Sequence, residues 1–444
     1  SNNFRKVGER KVSNSIAVLP FENMSSDKEN EYFCDGLTEE ILNVLAHQKE
    51  LKVTSRTSAF TYKGKKIKAR EIGDELGVEN ILEGSVRKSG NQIRITIQLI
   101  RAADDFHLSS ETYTRNLDDV ASTFELEDEI ASEVLSKLQD KLLKVDCCSC
   151  CSSKSENKEV FKVYQEGIKL WDQRDKKSIE KAIETFDEII KIDPKFSSAY
   201  IMKADCIMLL IHHSPSFDFD KLRLKAKETL KKAEDLGDAT AEFYTVKGFI
   251  SEYGPDANVK DAIDCFKIAI DKNPNYATAH FRLGSIYSMI EKYKKAQQEM
   301  EKAISLDPHS NIILAASSHL SRQLYNYNDA LKKLIKIRER SPQWNKPRTD
   351  RGFFILYKDL HDWEKCEQFI SNYSNKELIE DRMICWQVIY YYLLTNNISK
   401  AKKIVKEYEK TVENSNDIKK LSSLCRGYRA FQQNEKAAKL AEKL

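Results

Sequence analysis

Two kinds of hydrophobic spacing divide the chain near residue 145. Before that point, short apolar strands alternate with helical stretches. "SIAVLPF", Ser15 to Phe21, is a short apolar strand closed by Pro20, and a polar loop follows it. Residues 31–47 then place Phe33, Leu37, Ile41, Val44 and Leu45 at helical intervals. "LKVTSR" predicts a second strand. "AREIGDELG" predicts a short helix with Ile72 and Leu76 on one face, and Gly77 suits a left-handed stop. In "NILEGSVRKSGNQIRITIQLIRA", Ile93, Ile95, Ile97 and Leu99 alternate, so the stretch reads as a hairpin turning at "SGN". "HLSSETYTRN" adds a further strand. From Leu117 onward, Val120, Phe124, Ile130, Val134, Leu138 and Leu142 recur at three- to four-residue steps, the mark of an amphipathic helix. The pattern predicts a small mixed-sheet α/β domain over residues 15–145, preceded by a polar linker or chain edge at 1–14.

After "DCCSCCSSKSENK" the spacing is helical throughout, so residues 146–158 read as a Cys/Ser-rich linker. The helical part repeats. Pro274, Pro308 and Pro342 lie 34 residues apart, as do Ala262, Ala296 and Ala330, and Phe266, Met300 and Leu334. A 34-residue helix–turn–helix period is the tetratricopeptide signature. Small residues such as Gly284, Ala296 and Ala303 let paired helices approach, while Leu283, Tyr287 and Met300 fill the layer to the next repeat. Each proline ends a second helix. Weaker copies surround Ala182, Cys366, Ala401 and Ala437. The expectation is an all-α tetratricopeptide superhelix, an α-solenoid of about eight repeats over 159–444.

Composition narrows the function classes. Charged residues make up 32% of the chain, yet 72 basic and 69 acidic side chains nearly cancel, leaving a net charge of +3. No global polyanion partner is implied, so direct nucleic-acid binding is not expected of this segment. No run of about 18 apolar residues spans a bilayer, so no membrane insertion is expected. Of ten cysteines, Cys147, Cys148, Cys150 and Cys151 cluster without the second distant pair a zinc site needs. The others sit singly in helical patterns, as small buried hydrophobes do. Free thiols favour the cytoplasm, whereas a preceding transmembrane helix would place the segment in the periplasm.

With these motifs on the page, a resemblance emerges. "IAVLPFENMSSDKENEYFCDGLTEEILNVLA", "RTSAFTYKGK", "REIGDELGVENILEGSVRKSGNQIRITIQLI" and "EDEIASEVLSKL" together resemble a TolB-amino-terminal-like (FlgO-like) α/β domain, from about Ser15 to Leu142. Followed by tetratricopeptide repeats, the arrangement resembles bacterial signalling and transcription-regulatory proteins. In that resemblance the domain accompanies cyclase or helix-turn-helix output modules and carries no catalytic residues. "HLSSETYTRN" departs from it, because relatives carry a tryptophan near Leu108 and an aspartate at Thr114.

Candidate chemistry is sparse. No Walker, GxSxG, HExxH or EF-hand motif occurs, so neither an enzyme, a metal site nor a cofactor is expected. "KGKKIKAR", Lys63 to Arg70, reads as a solvated loop before a short helix. Asp35, Glu39 and Glu40 suit a helix opening. The surface with the strongest case is the concave face of the repeats, where pattern phase selects Thr278, Phe281, Ser285, Ser288, His319 and Arg322 for a protein or peptide partner. His280 is a further groove candidate. The reading is a non-enzymatic interaction and regulatory module, with homodimerisation left open. The alternative is a small-ligand sensor using Asn23, Ser25 and Asp27 after the first strand, or the cleft between domains.

Overall fold

The computed structural model describes residues 14–25, 30–116, 123–142, 158–213, 219–253, 257–344, 346–380, 382–412 and 418–431, with Gln433 and Lys436. Asp27, the cysteine cluster and residues 146–157 lie outside the described residues.

The first part is a mixed sheet. Strands β1 (Ser15–Val18), β2 (Glu22–Asn23), β3 (Lys52–Val53), β4 (Asn80–Ser89), β5 (Gln92–Arg101) and β6 (Phe106–Asn116) lie in the order β3-β1-β4-β5-β6, and β2 also pairs with β4. β1 runs parallel to β3 and β4, while β4, β5 and β6 are antiparallel. β1 is apolar on both sides because both sides are covered. Ile16 and Val18 join α1 (Asn30–Ala46) and α4 (Thr123–Leu142) on one face. Ala17 meets Ile72 and Leu76 of α3 (Ala69–Leu76) on the other. Along β5 the alternating Ile93, Ile95, Ile97 and Leu99 all turn into the first core. Gly77 does stop α3, at φ 62°.

The second part is a tetratricopeptide solenoid. Its helices are α5 (Lys158–Gln173), α6 (Lys176–Ile192), α7 (Ser197–Leu209), α8 (Phe219–Asp235), α9 (Ala241–Ser251) and α10 (Val259–Lys272). They continue as α11 (Ala277–Met289), α12 (Tyr293–Leu306), α13 (Asn311–Gln323), α14 (Tyr327–Arg340), α15 (Lys346–Asp359) and α16 (Trp363–Ser371). A short α17 (Asn375–Glu380) interrupts the period before α18 (Arg382–Leu394), α19 (Ile398–Val412) and α20 (Ile418–Ala430). Among the described residues these make seven helix pairs and the first helix of an eighth.

The small-against-large rule holds in detail. Ala262, Ala296, Ala303 and Ala330 are wholly buried. A Cβ added at Gly248 would lie 2.7 Å from the Phe266 ring, so glycine permits that approach. One device escapes the pattern. Arg174, Glu291, Tyr325, His361 and Asn396 each follow a first helix with φ between 56° and 61°, and none is glycine. Among the described residues, no helix is long and apolar enough to cross a membrane.

Phe266 is wholly buried, whereas Ile268 two residues on is 40% exposed. Phe266→Ala should therefore destabilise the repeats by about 3–5 kcal/mol and Ile268→Ala by well under half of that. Urea midpoints followed by circular dichroism check the difference.

Candidate functional site

The α/β domain is not a separate bead. Its β3 end and the segment Ser55–Tyr62 lie against the turns that join successive repeats. That segment comprises α2 (Arg56–Ala59) and one 3-10 turn (Phe60–Tyr62). At the two turns that meet the domain, Pro274 and Pro308 follow the second helices α10 and α12, and Asn273, Asn275, Asp307 and His309 flank the prolines.

Asn275 carries the largest share of the contact. Its Oδ1 accepts the amide of Val53 at 3.1 Å. Its Nδ2 lies 2.9 Å from the carbonyls of Ala46 and Leu51 and 3.4 Å from that of Gln48. The Ser55 amide donates to the Leu306 carbonyl at 2.8 Å. Ser58 Oγ donates to Asp307 Oδ1 at 2.6 Å and accepts the His309 amide at 2.9 Å. Thr61 Oγ1 sits 3.0 Å from His309 Nδ1, whose ring lies 5.7 Å from that of Tyr62. At the other end, Arg56 bonds both Glu39 and Gln165 and stacks 4.1 Å from the Phe60 ring.

Burial sets the charges here. It pushes the Asp307 carboxyl up to about 6, against bonds from Ser58 and Ser55 that favour the anion. Burial, then Arg340 and Lys336, lowers His309 to about 4. Burial also raises Glu39, despite Arg56 beside it. The space left between the domains is small. A cavity of about 30 Å³ is lined by Thr57, Asp172, His309, Ser310, Asn311, Ile312 and Trp344. That is room for about one water.

The residues selected by phase sit on the first helices α11 and α13. Phe281, Thr278, Ser285 and Ser288 are half-buried, and His319 is exposed. Two of the six tie neighbouring helices together. Ser288 Oγ donates to Gln323 Oε1 at 2.6 Å, and Arg322 Nη1 to Asp359 Oδ2 at 3.0 Å. Ser285 instead bonds back to the Phe281 carbonyl at 2.9 Å. His280 does not face a groove: it is buried, 2.7 Å from Glu299 and 3.1 Å from the Pro274 carbonyl.

Deeper in the repeats, Trp171 Nε1 donates to Asp205 Oδ2 at 2.5 Å, and the Arg174 guanidinium covers the Trp171 ring at 3.8 Å. Arg282 lies 3.4 Å over Phe249 and 3.8 Å from Asp205. Sequence reading missed this set, because charged residues at helical spacing look solvated.

In the loop after β1, Asn23 Oδ1 accepts the Ser25 amide at 2.9 Å, and Ser25 Oγ accepts the Lys88 amide at 2.8 Å. The acids of α1 are engaged as well: Asp35 pairs with Lys63 and Glu39 with Arg56. Of the described single cysteines, all but Cys265 are buried. Among the described residues no cluster of histidine, cysteine and carboxylate side chains could hold a metal.

Comparison with known proteins adds two family matches. Residues 12–133 match the HilA/YgeH-like transcriptional regulator, second domain, and residues 277–310 match the tetratricopeptide repeat. The chain is 46% identical over 128 residues to putative adenylate cyclase 3 of Rhizobium meliloti (strain 1021), covering 29% of this chain and 21% of that protein. It is 33% identical over 75 residues to tetratricopeptide repeat protein 6 of Homo sapiens, covering 17% and 14%. Among solved structures, a thermophilic TPR protein of Thermus thermophilus aligns over 44% of this chain and 98% of its own, at 18% identity and TM-score 0.36. The chain thus spans about a fifth or less of the curated relatives' length. An amino-terminal domain similar to that of a transcriptional regulator and tetratricopeptide repeats are the parts these matches support.

Removing the Asn275 side chain strands up to four backbone groups at a buried seam, so Asn275→Ala should weaken docking by about 1–3 kcal/mol. Scanning calorimetry should then resolve a separate, lower transition for the α/β domain, absent from the wild type. A second expectation concerns pH. Asp307 has a folded pKa, about 6, above its ordinary 3.8, so it opposes docking at pH 7 and this cost fades as pH falls through 6. His309 lies at about 4 against 6.5, so its contribution is full above 6.5 and lost as pH falls toward 4. Between pH 7 and 5, Asp307→Asn should therefore lose docking stability more steeply than wild type, and His309→Gln less steeply. Parallel calorimetric slopes would contradict both assignments.

Proposed function

We propose that this chain is a non-enzymatic interaction and regulatory module whose repeats hold an extended or helical segment of a partner protein on their concave face. Thr278, Phe281, Ser285, Ser288, His319 and Arg322 contribute to that face. What supports the reading is that the first helices are braced to one another while exposed apolar side chains stand on or beside them. The Ser288–Gln323 and Arg322–Asp359 bonds run from α11 through α13 to α15. Around these helices, and on α18 beyond, large side chains stay in solvent: Met289, Tyr325, Tyr390 and Leu394 are each more than half exposed. Exposed aromatic and aliphatic side chains on a rigid frame suit a peptide that supplies its own apolar anchors.

The amino-terminal domain places the module in a regulatory setting. Its match to a transcriptional-regulator domain and its 46% identity to a segment of a putative adenylate cyclase both fit a bacterial signalling protein. The TolB-amino-terminal-like reading of the quoted motifs fits the same setting. Fixed to the repeat turns, the domain would report partner capture as one body with the repeats. The small-ligand alternative gains less support, because Asn23 and Ser25 each accept a main-chain amide and the interdomain cavity holds about one water.

Peptides selected by display against the full chain test this reading. Phe281→Ala combined with His319→Ala should weaken the selected peptides tenfold or more, about 1.4 kcal/mol, when measured well below the variant's own unfolding midpoint, which falls because Phe281 packs against the core of the repeats. Peptides indifferent to both changes would place recognition elsewhere.

A further inference from the structure

The basic loop Lys63–Arg70 is largely exposed, as a solvated turn is, and it follows the segment that docks on the repeat turns. Only its first lysine is neutralised, lying 2.7 Å from Glu31 and 2.5 Å from Asp35. Lys65, Lys66 and Lys68 are exposed, and among the described residues they make no ion pair. At β6 and α4 of the same domain, by contrast, Arg115 bridges Glu129 and Glu133, and Lys137 meets Glu111.

Docking brings further cations to this loop. Across the seam, α14 presents Lys336 and Arg340 one turn apart. Arg340 Nη2 donates to the Pro308 carbonyl at 3.2 Å, and Lys336 makes no ion pair among the described residues. His309 lies among them, against Thr61 and Tyr62. Farther along the seam, Lys52 lies near Lys302 of α12, and its ammonium bonds only the Gly77 carbonyl, at 2.8 Å. Burial, and then neighbouring cations, holds Lys52 and Lys336 below their ordinary range. Two carboxylates face the Lys336–Arg340 end: Glu75, which accepts the Tyr62 hydroxyl, and buried Asp307, which accepts the Ser58 hydroxyl. Glu71 and Asp74 of α3 are exposed nearby in sequence.

A surface that collects like charges from two domains, with no acid among the described residues in ion-pair contact with Lys65, Lys66, Lys68 or Lys336, is complementary to an anion. The kind of anion follows from what lies between the cations. The exposed side chain between Lys66 and Lys68 is Ile67, and Ile335 is exposed beside Lys336. The aromatic ring in the patch, Tyr62, is buried and offers no face on which a base could stack. We infer that the seam between the α/β domain and the fifth helix pair binds an acidic, aliphatic-rich segment of a partner protein through Lys65, Lys66, Lys68, Lys336 and Arg340. The segment's carboxylates meet the ammonium and guanidinium groups, and its aliphatic side chains cover Ile67 or Ile335. Because the cations come from both domains, the surface is complete only in the docked state. It is distinct from the concave face and recognises different chemistry.

Fluorescence anisotropy on the full chain tests this, with a fluorescein-labelled twelve-residue peptide of Glu, Asp and Leu. A labelled oligothymidylate of equal length is the polyanion comparator. Lys65→Ala/Lys66→Ala/Lys68→Ala should weaken the peptide tenfold or more, and Lys336→Ala severalfold. Lys336 is preferred to Arg340 because it holds no backbone carbonyl. Lys225→Ala/Lys227→Ala/Lys231→Ala on α8 removes the same charge from another surface and should change affinity less than twofold. Phe281→Ala/His319→Ala should also leave the acidic peptide bound, so that failure of the groove reading and failure of this one are told apart. Absence of saturable binding, equal weakening by the α8 variant, or loss through the groove variant would overturn the inference. Tighter binding of the oligothymidylate than of the peptide would also overturn it, in favour of a polynucleotide surface.

Discussion

Everything that distinguishes this molecule from a plain string of repeats depends on one side chain meeting the backbone of another domain. Asn275 gives both ends of its amide to main-chain groups at the edge of the sheet and the end of α1. Backbone groups buried without partners are costly, and here a repeat turn supplies the partners. The Ser55–Leu306 bond and the Ser58–Asp307 pair extend the same logic to the next turn, 34 residues on. The period of the repeats therefore sets the spacing at which the α/β domain is held.

That attachment divides the surface of the repeats by chemistry. Along the seam, exposed cations accumulate because basic side chains from both domains approach one another. Along α11, α13 and α15, serine, glutamine, arginine and aspartate cross-link the helices, and apolar side chains stand beside them. On the readings proposed above, a partner at the first surface brings negative charge. One at the second brings apolar anchors. A single protein could use both, or two proteins could each use one.

The architecture was legible because it rests on periodic burial. Ile93 to Leu99 alternate and face one core, and the 34-residue alanine and proline positions mark real helix pairs. Gly77 announced its turn. The left-handed residues after the first helices did not, since Arg174, Glu291 and Tyr325 lack the glycine that marks such a turn in sequence. His280 looked like a groove residue by its position on a first helix, yet Glu299 and the Pro274 carbonyl draw it into the helix pair. Asn275 and Asp307 were invisible for another reason. Polar residues beside a turn proline need no partner to explain them, and their partners lie more than two hundred residues away in sequence. The cations of "KGKKIKAR" are exposed, as their sequence suggests; what the sequence does not show is that Lys65 shares the surroundings of His309 with Lys336 and Arg340.

The central claim is that the two domains form one body through the repeat turns. Amide hydrogen exchange on the full chain, read at Val53 and Ser55, tests it most directly. Both amides donate across the seam, to Asn275 Oδ1 and the Leu306 carbonyl. The account predicts that they exchange slowly, with protection comparable to the amides of β4. Exchange at Val53 and Ser55 close to that of an open chain, while β4 stays protected, would show an intact α/β domain that is not held by the repeats.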